Sequence, residues 1–209
     1  MKFYDCSSAP SPRRVRIFLA EKGVTLPSVQ VDLRGGAQLT AEFGKLNPWC
    51  TVPVLELDDG TAISEAIAIC RYIEEAYPDP PLMGRNGKEK AVIAMWEHRC
   101  EMDGFFAVAE AFRNTAKGLK GRAMTGLAAV EQIPALAERG RLRVQNFFKA
   151  MDVRLAESEF VAGPAYSVAD ITLLVTVDFA AGAKLEVPEG LTHLRRWHAH
   201  VSLRPSARN

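Results

Sequence analysis

The spacing of apolar positions changes character partway along the chain. Up to Pro78 the period switches repeatedly. Lys2 to Tyr4 and Val29 to Leu33 are short apolar runs of strand character. Val52-Pro53-Val54-Leu55-Glu56-Leu57 alternates at period two before a turn at Asp58-Asp59-Gly60, and Thr61-Ala62-Ile63 is its returning strand. Between these runs, Val15, Phe18 and Leu19 form a helical stripe that stops near Gly23. Ala66, Ile69, Cys70, Ile73 and Tyr77 form another that stops before Pro78. The predicted order is βαβαββα, a small mixed sheet with an antiparallel hairpin.

Beyond Pro78-Asp79-Pro80-Pro81 the pattern is helical throughout. The prolines fix φ and block helix continuation, so residues 79–87 are predicted as a linker between a domain at 1–78 and an all-α domain at 88–209. One long helix is predicted from Glu89 to about Thr115, carrying Trp96, Phe105, Phe106 and Phe112. A glycine-containing loop follows from Lys117 to Val130. Pro134 opens a helix running towards Glu157. Ser167 and Asp170 are placed to pair the free first-turn amides of the next helix, and a last helix covers Leu191 to about Leu203.

Composition narrows the function classes. The chain has 209 residues, with 26 Lys+Arg against 25 Asp+Glu, a balance that supports neither nucleic-acid nor acidic-membrane binding. The most apolar stretch, Ile171 to Ala183, is broken by Asp178 and too short to span a bilayer. Met1 to Asp5 lacks the apolar run of a signal peptide. Cys6, Cys50, Cys70 and Cys100 contain no close pair for zinc or a CxxC couple, so a reducing cytoplasm is expected. Cys6 reads either as a small packed residue or as a redox residue after the first strand; Cys70 and Cys100 read as core thiols. Arg13, Arg14 and Arg16 read as a solvated or dimer-facing surface. His193, His198 and His200 read as surface residues without acidic companions, so no metal site is expected.

Two segments carry ligand chemistry. Proline at the start of a strand cannot donate to the ladder. A cis Val52–Pro53 bond would turn the Val52 amide and carbonyl outward, free to pair with an extended peptide; the bland alternative is an edge-strand proline with no ligand. At Ile63-Ser64-Glu65-Ala66-Ile67, first-turn amides and the positive end of a helix dipole attract a carboxylate, while Glu65 suits an ammonium group. Together they would fit an α-amino acid, against the alternative of an ordinary helix opening with a solvated Glu.

These segments, with Arg13-Arg14-Val15-Arg16-Ile17-Phe18-Leu19-Ala20-Glu21-Lys22-Gly23, Asn47-Pro48 and Gly163-Pro164-Ala165-Tyr166-Ser167-Val168-Ala169-Asp170, resemble the glutathione S-transferase superfamily across nearly the whole chain. The resemblance implies a thioredoxin-like domain followed by a helical domain, usually in a homodimer, with glutathione as co-substrate. It also implies that Val52 and Pro53 hold the cysteinyl backbone, Glu65 and Ala66 the γ-glutamyl end, and Cys50 and Thr51 the neighbourhood of the glycyl carboxylate. The family usually has Ser where this chain has Ala66, so one hydroxyl contact is missing and weakened binding is expected.

The catalytic column of serine-type and cysteine-type members falls on Ala9, which can neither donate to a thiolate nor form a mixed disulfide. Nu-like bacterial members place a polar residue two positions on. Ser11 occupies that place here, with Ser8 second; either serine could instead cap the helix, or do both. Trp96, Phe105, Phe106 and Phe112 either line an apolar pocket for an electrophile or form core. The expected function is detoxifying conjugation of glutathione to small hydrophobic electrophiles. Glutathione-dependent disulfide reduction and a non-catalytic binding protein are the alternatives.

Overall fold

The computed structural model describes residues 1–209 and divides into two compact units. The first comprises Met1–Pro80 with Met124–Val130 and Asn209; the second comprises Pro81–Ala123 and Glu131–Arg208.

In the first unit, β1 (Lys2–Asp5), α1 (Pro10–Glu21), β2 (Ser28–Gln30), α2 (Ala41–Leu46), β3 (Val54–Glu56), β4 (Ala62–Ser64) and α3 (Ala66–Ala76) follow in chain order. The sheet order is β2-β1-β3-β4, parallel between β1 and β2 and antiparallel elsewhere. This is the predicted βαβαββα arrangement. Helices α1 and α3 pack on one another, joined by a buried ion pair. Lys22 Nζ lies 2.6 Å from Glu74 Oε2, donates to the Pro80 carbonyl and sits over the Phe18 ring. A buried ammonium is tolerable only when paired in this way. A second cluster joins Cys6, Val31, Phe43, Val52 and Val54.

The second unit is helical: α4 (Gly87–Arg99), α5 (Phe106–Arg113), α6 (Pro134–Glu157), α7 (Val168–Gly182) and α8 (Thr192–Val201). Helix α7 is its axis. Every residue from Val168 to Val177 is buried, and α4 and α8 pack against it. The expected unbroken helix over residues 89–115 is instead α4 and α5 joined by a π-helical segment, Cys100–Phe105. Gly104 lies in that segment with the Phe147 ring against it, so close that a Cβ there would fall 2.5 Å from a ring carbon. The wider π turn accommodates this contact with α6. Lys117–Val130 is the expected connecting loop, with one short 3-10 turn at Lys117–Leu119.

At the start of α7, Asp170 is fully buried. It accepts from the Val161 amide at 2.9 Å, and at 3.1 Å from each of the Ser167 amide, the Ser167 hydroxyl and the Trp197 indole. Burial nevertheless pushes its carboxyl up to about 6, against the lowering effect of those donors. Cys70 and Cys100 are core thiols, as expected, and burial pushes Cys100 well above its ordinary range.

Candidate active site

The sheet register brings three loops to one end of the first unit. Tyr4 pairs with Val54, and Val54 with Ser64. The residues just after β1, just before β3 and just after β4 therefore meet at the same sheet end, which is where Cys6 to Ser11, Cys50 to Pro53 and Glu65-Ala66 lie. Cys6, Val52 and Ala9 share one apolar cluster there.

The Val52–Pro53 bond is cis. The β3 ladder begins only at Val54, and neither the Val52 amide nor its carbonyl has a hydrogen-bond partner within the chain. Upstream, the buried Asn47 organises the approach. Its side-chain nitrogen donates to the Thr51 carbonyl at 2.9 Å and to the Thr51 hydroxyl at 3.1 Å, while its oxygen accepts from the Trp49 amide. Cys50 is buried in the left-handed region at φ 55°, its sulfur directed to the Pro48 carbonyl. The Asn47-Pro48 pair marks this knot in the sequence, although the role of Asn47 does not follow from it.

Helix α3 opens without a side-chain cap. Its N-cap is Glu65, exposed and held at φ 70°, ψ 124°. Backbone of this kind costs a non-glycine residue on the order of 1–3 kcal/mol and persists where the surroundings enforce it. The Glu65 carboxylate has no partner in the chain, and the first-turn amides beginning at the buried Ala66 are likewise open. Gln38 adds a feature with no sequence signal. It is 6% exposed, its amide oxygen has no hydrogen-bond partner, and its neighbour Ala37 packs on the cluster containing Val52.

The β1–α1 loop removes one alternative for its serines and corrects the expectation for its arginines. Neither serine caps α1: the N-cap is Ala9, with no side-chain cap, and Pro10 holds the first helical position. The Ser11 oxygen instead accepts from Arg14 Nη2 at 3.0 Å, which leaves its O–H free to donate. Ser8 is exposed, its hydroxyl 3.5 Å from the buried Cys6 sulfur. Nor are Arg14 and Arg16 a solvated surface, whereas Arg13 is half-buried and donates to the Asn209 carbonyl. Arg14 is buried, and Arg16 pairs with buried Asp5 while donating to the Cys6 and Ser7 carbonyls. Tyr4, the hydroxyl on β1, donates to Glu56 at 2.8 Å; burial and that carboxylate raise its pKa.

Among the aromatic candidates, Trp96 stacks on the Arg154 guanidinium at 4.9 Å. Phe105 is buried against Phe106 and Phe179, and Phe112 packs edge-on to Phe179. Phe106, at 45% exposed, presents the most surface of the three phenylalanines. His198 is not without an acidic companion: its Nε2 lies 2.7 Å from Asp178.

Residues 9–76 match the family model for the glutathione S-transferase N-terminal domain, and residues 134–200 match that for the C-terminal domain. Glutathione S-transferase 2 of Saccharomyces cerevisiae is 37% identical over 210 residues, covering 100% of this chain and 88% of that protein. The chain belongs to the glutathione S-transferase family. A glutathione S-transferase domain-containing protein of Marinobacter aquaeolei superposes with a TM-score of 0.93 at 41% identity, over 99% of both chains. A class Gtt2 glutathione S-transferase of Vibrio parahaemolyticus gives 0.84 at 38%, over 99% of this chain and 94% of that one. The thioredoxin-like first unit and helical second unit are those of this glutathione S-transferase fold.

Proposed function

We propose that this glutathione S-transferase joins the sulfur of reduced glutathione to small hydrophobic electrophiles, as a cytoplasmic homodimer in a detoxifying role. The observation that carries the reading is the set of unused hydrogen-bond groups at one sheet end. The Val52 amide and carbonyl suit the cysteinyl backbone of a peptide. The open first turn of α3 and the free Glu65 carboxylate suit the α-carboxylate and α-ammonium of the γ-glutamyl end. Thr51 and Cys50, next along the chain from Val52, are the proposed neighbours of the glycyl end. No helix is long and apolar enough to cross a membrane.

In the reaction the thiol proton passes to solvent and a sulfur lone pair forms the new S–C bond; in a substitution the leaving group departs with its bonding pair, and in an addition the displaced π pair moves onto the acceptor's activating group and is then protonated. Ser11 and Ser8 are the hydroxyls proposed to stabilise the thiolate. Arg14 polarises the Ser11 O–H and brings positive charge beside it. An ordinary thiol is only ~3% ionised at pH 7. Lowering its pKa by about two units raises that fraction roughly 25-fold while nucleophilicity drops roughly eightfold, a net gain of about threefold. Holding the sulfur against the acceptor therefore contributes more than acidifying it. Phe106, the most exposed of the phenylalanines, is the proposed seat of the acceptor, with Trp96, Phe105 and Phe112 the other aromatic candidates.

Calorimetric titration with reduced glutathione tests the site. Micromolar-to-millimolar binding, weakened by Glu65→Gln, is expected; absence of binding by calorimetry and by thermal shift would refute it. Ser11→Ala and Ser8→Ala are then expected to raise the pKa read from the pH dependence of kcat/KM.

A further inference from the structure

We infer that Arg16 and Gln30 are positioning residues for thiol activation, locking the turn between β1 and α1 in place. The inference rests on the proposed role of that loop in conjugation.

The turn is closed by the Ala9 amide donating to the Cys6 carbonyl at 2.9 Å, which leaves Ser7 and Ser8 at its apex. Two side chains grip it from outside, tied to one another through the Asp5 carboxylate. Arg16 Nη1 pairs with Asp5 Oδ1 at 2.5 Å and reaches the Cys6 carbonyl at 3.3 Å, while Nη2 donates to the Ser7 carbonyl at 3.0 Å. Gln30 accepts from the Ser7 amide at 2.9 Å and donates to Asp5 Oδ2 at 2.8 Å. Asp5, Arg16 and Gln30 thus form a closed ring of bonds with Ser7, drawing on β1, α1 and β2.

The arrangement uses the planar fork of arginine, which can serve a carboxylate and two carbonyls at once; a lysine ammonium has neither the span nor the fixed directions. Asp5 is 3% exposed, so the pair is little weakened by solvent. A clamp on Cys6 and Ser7 fixes where Ser8 and the opening of α1 stand relative to Val52, which lies in the same cluster as Cys6 and Ala9. Misplacement of reacting groups by about 1 Å can cost about a hundredfold in rate, so a clamp of this kind has consequences for chemistry.

The test is Arg16→Met, Arg16→Lys and Gln30→Met, each assayed with glutathione and an activated aryl chloride. In parallel, the ionisation of bound glutathione is titrated by its ultraviolet thiolate absorbance, which needs no acceptor. Arg16→Met is expected to lower kcat about tenfold, to change the glutathione Kd less than twofold and to raise the bound thiol's pKa. Arg16→Lys should recover thermal stability through Asp5 without recovering the pKa. Gln30→Met should give a smaller shift in the same direction. A folded Arg16→Met variant with wild-type kcat and thiol pKa overturns the inference, as does a loss confined to Kd or fully restored by lysine. A wild type that binds glutathione yet conjugates nothing refutes the proposed function instead, while the spectroscopic pKa still decides the role of Arg16.

Discussion

Two helix openings in this protein follow the same rule of composition and end in opposite states. Both α7 and α3 start beside a carboxylate, as a positive helix terminus favours. At α7 the carboxylate is Asp170, wholly buried and supplied with four donors from Val161, Ser167 and Trp197. At α3 it is Glu65, exposed, at positive φ and with its carboxylate bonded to nothing in the chain. One opening is completed by the fold; the other awaits a molecule from outside. Local propensity alone does not separate a structural terminus from a binding one. The distinction lies in whether the tertiary neighbours supply the missing partners.

Removing the carboxylates separates the two openings most sharply. Asp170→Ala leaves the Trp197 indole and the Val161 amide unpaired inside the protein. A loss of about 3–5 kcal/mol is expected, read as a lowered urea midpoint at unchanged slope. A loss under about 1 kcal/mol would mean that water reaches the site and that the two termini differ less than their burial indicates.

The next effect is one of pH. The folded-state pKa of Asp170, about 6, lies above its ordinary value of 3.8, so folding takes up a proton between them. The contribution of this group to stability is full below about pH 4 and is lost as pH rises through about 6, by about 3 kcal/mol. The difference in urea midpoint between wild type and Asp170→Asn across that range should carry this slope.

At α3 the response appears in binding rather than in folding. Glu65→Gln removes one charge-assisted contact worth about 1.5–3 kcal/mol, so glutathione affinity should fall roughly ten- to hundredfold while the urea midpoint barely moves. Smallest is the backbone effect. Glycine accepts positive φ freely, so Glu65→Gly is expected to raise stability by up to about 1 kcal/mol while glutathione binding falls. A destabilised Glu65→Gly would show that the strain at α3 is not held there at the expense of stability.

How far the sequence disclosed these features depends on the range over which each is encoded. The βαβαββα order, the Val-Pro turn and the capping residues of α7 are written in neighbours a few positions apart, and all are legible. The role of Arg16 is not. Its partners are Asp5, eleven positions back on β1, and a turn held from β2 by Gln30. Within Arg13-Arg14-Val15-Arg16, a basic residue facing solvent and one locked to a buried carboxylate read alike. Gln38 is hidden for the same reason, since its burial follows from the packing of Ala37 and its surroundings. The π segment at Cys100–Phe105 escapes because a single widened turn barely disturbs a 3.6-residue apolar period. Gly104 was its one visible mark, and its meaning depended on Phe147, which arrives from α6.

The unit that carries the candidate glutathione site is not continuous in sequence. Met124–Val130 belongs with the first 80 residues, although it lies between segments of the helical unit, and Gly126 at φ 99° brings the loop close to the Trp49 carbonyl. A recombinant that joined residues 1–80 of one parent to the remainder of another would therefore not exchange whole modules. It would set one parent's Trp49 turn against the other parent's 124–130 loop, three residues from the Val52 backbone. In inheritance as in engineering, that loop travels with the helices while its contacts travel with the sheet.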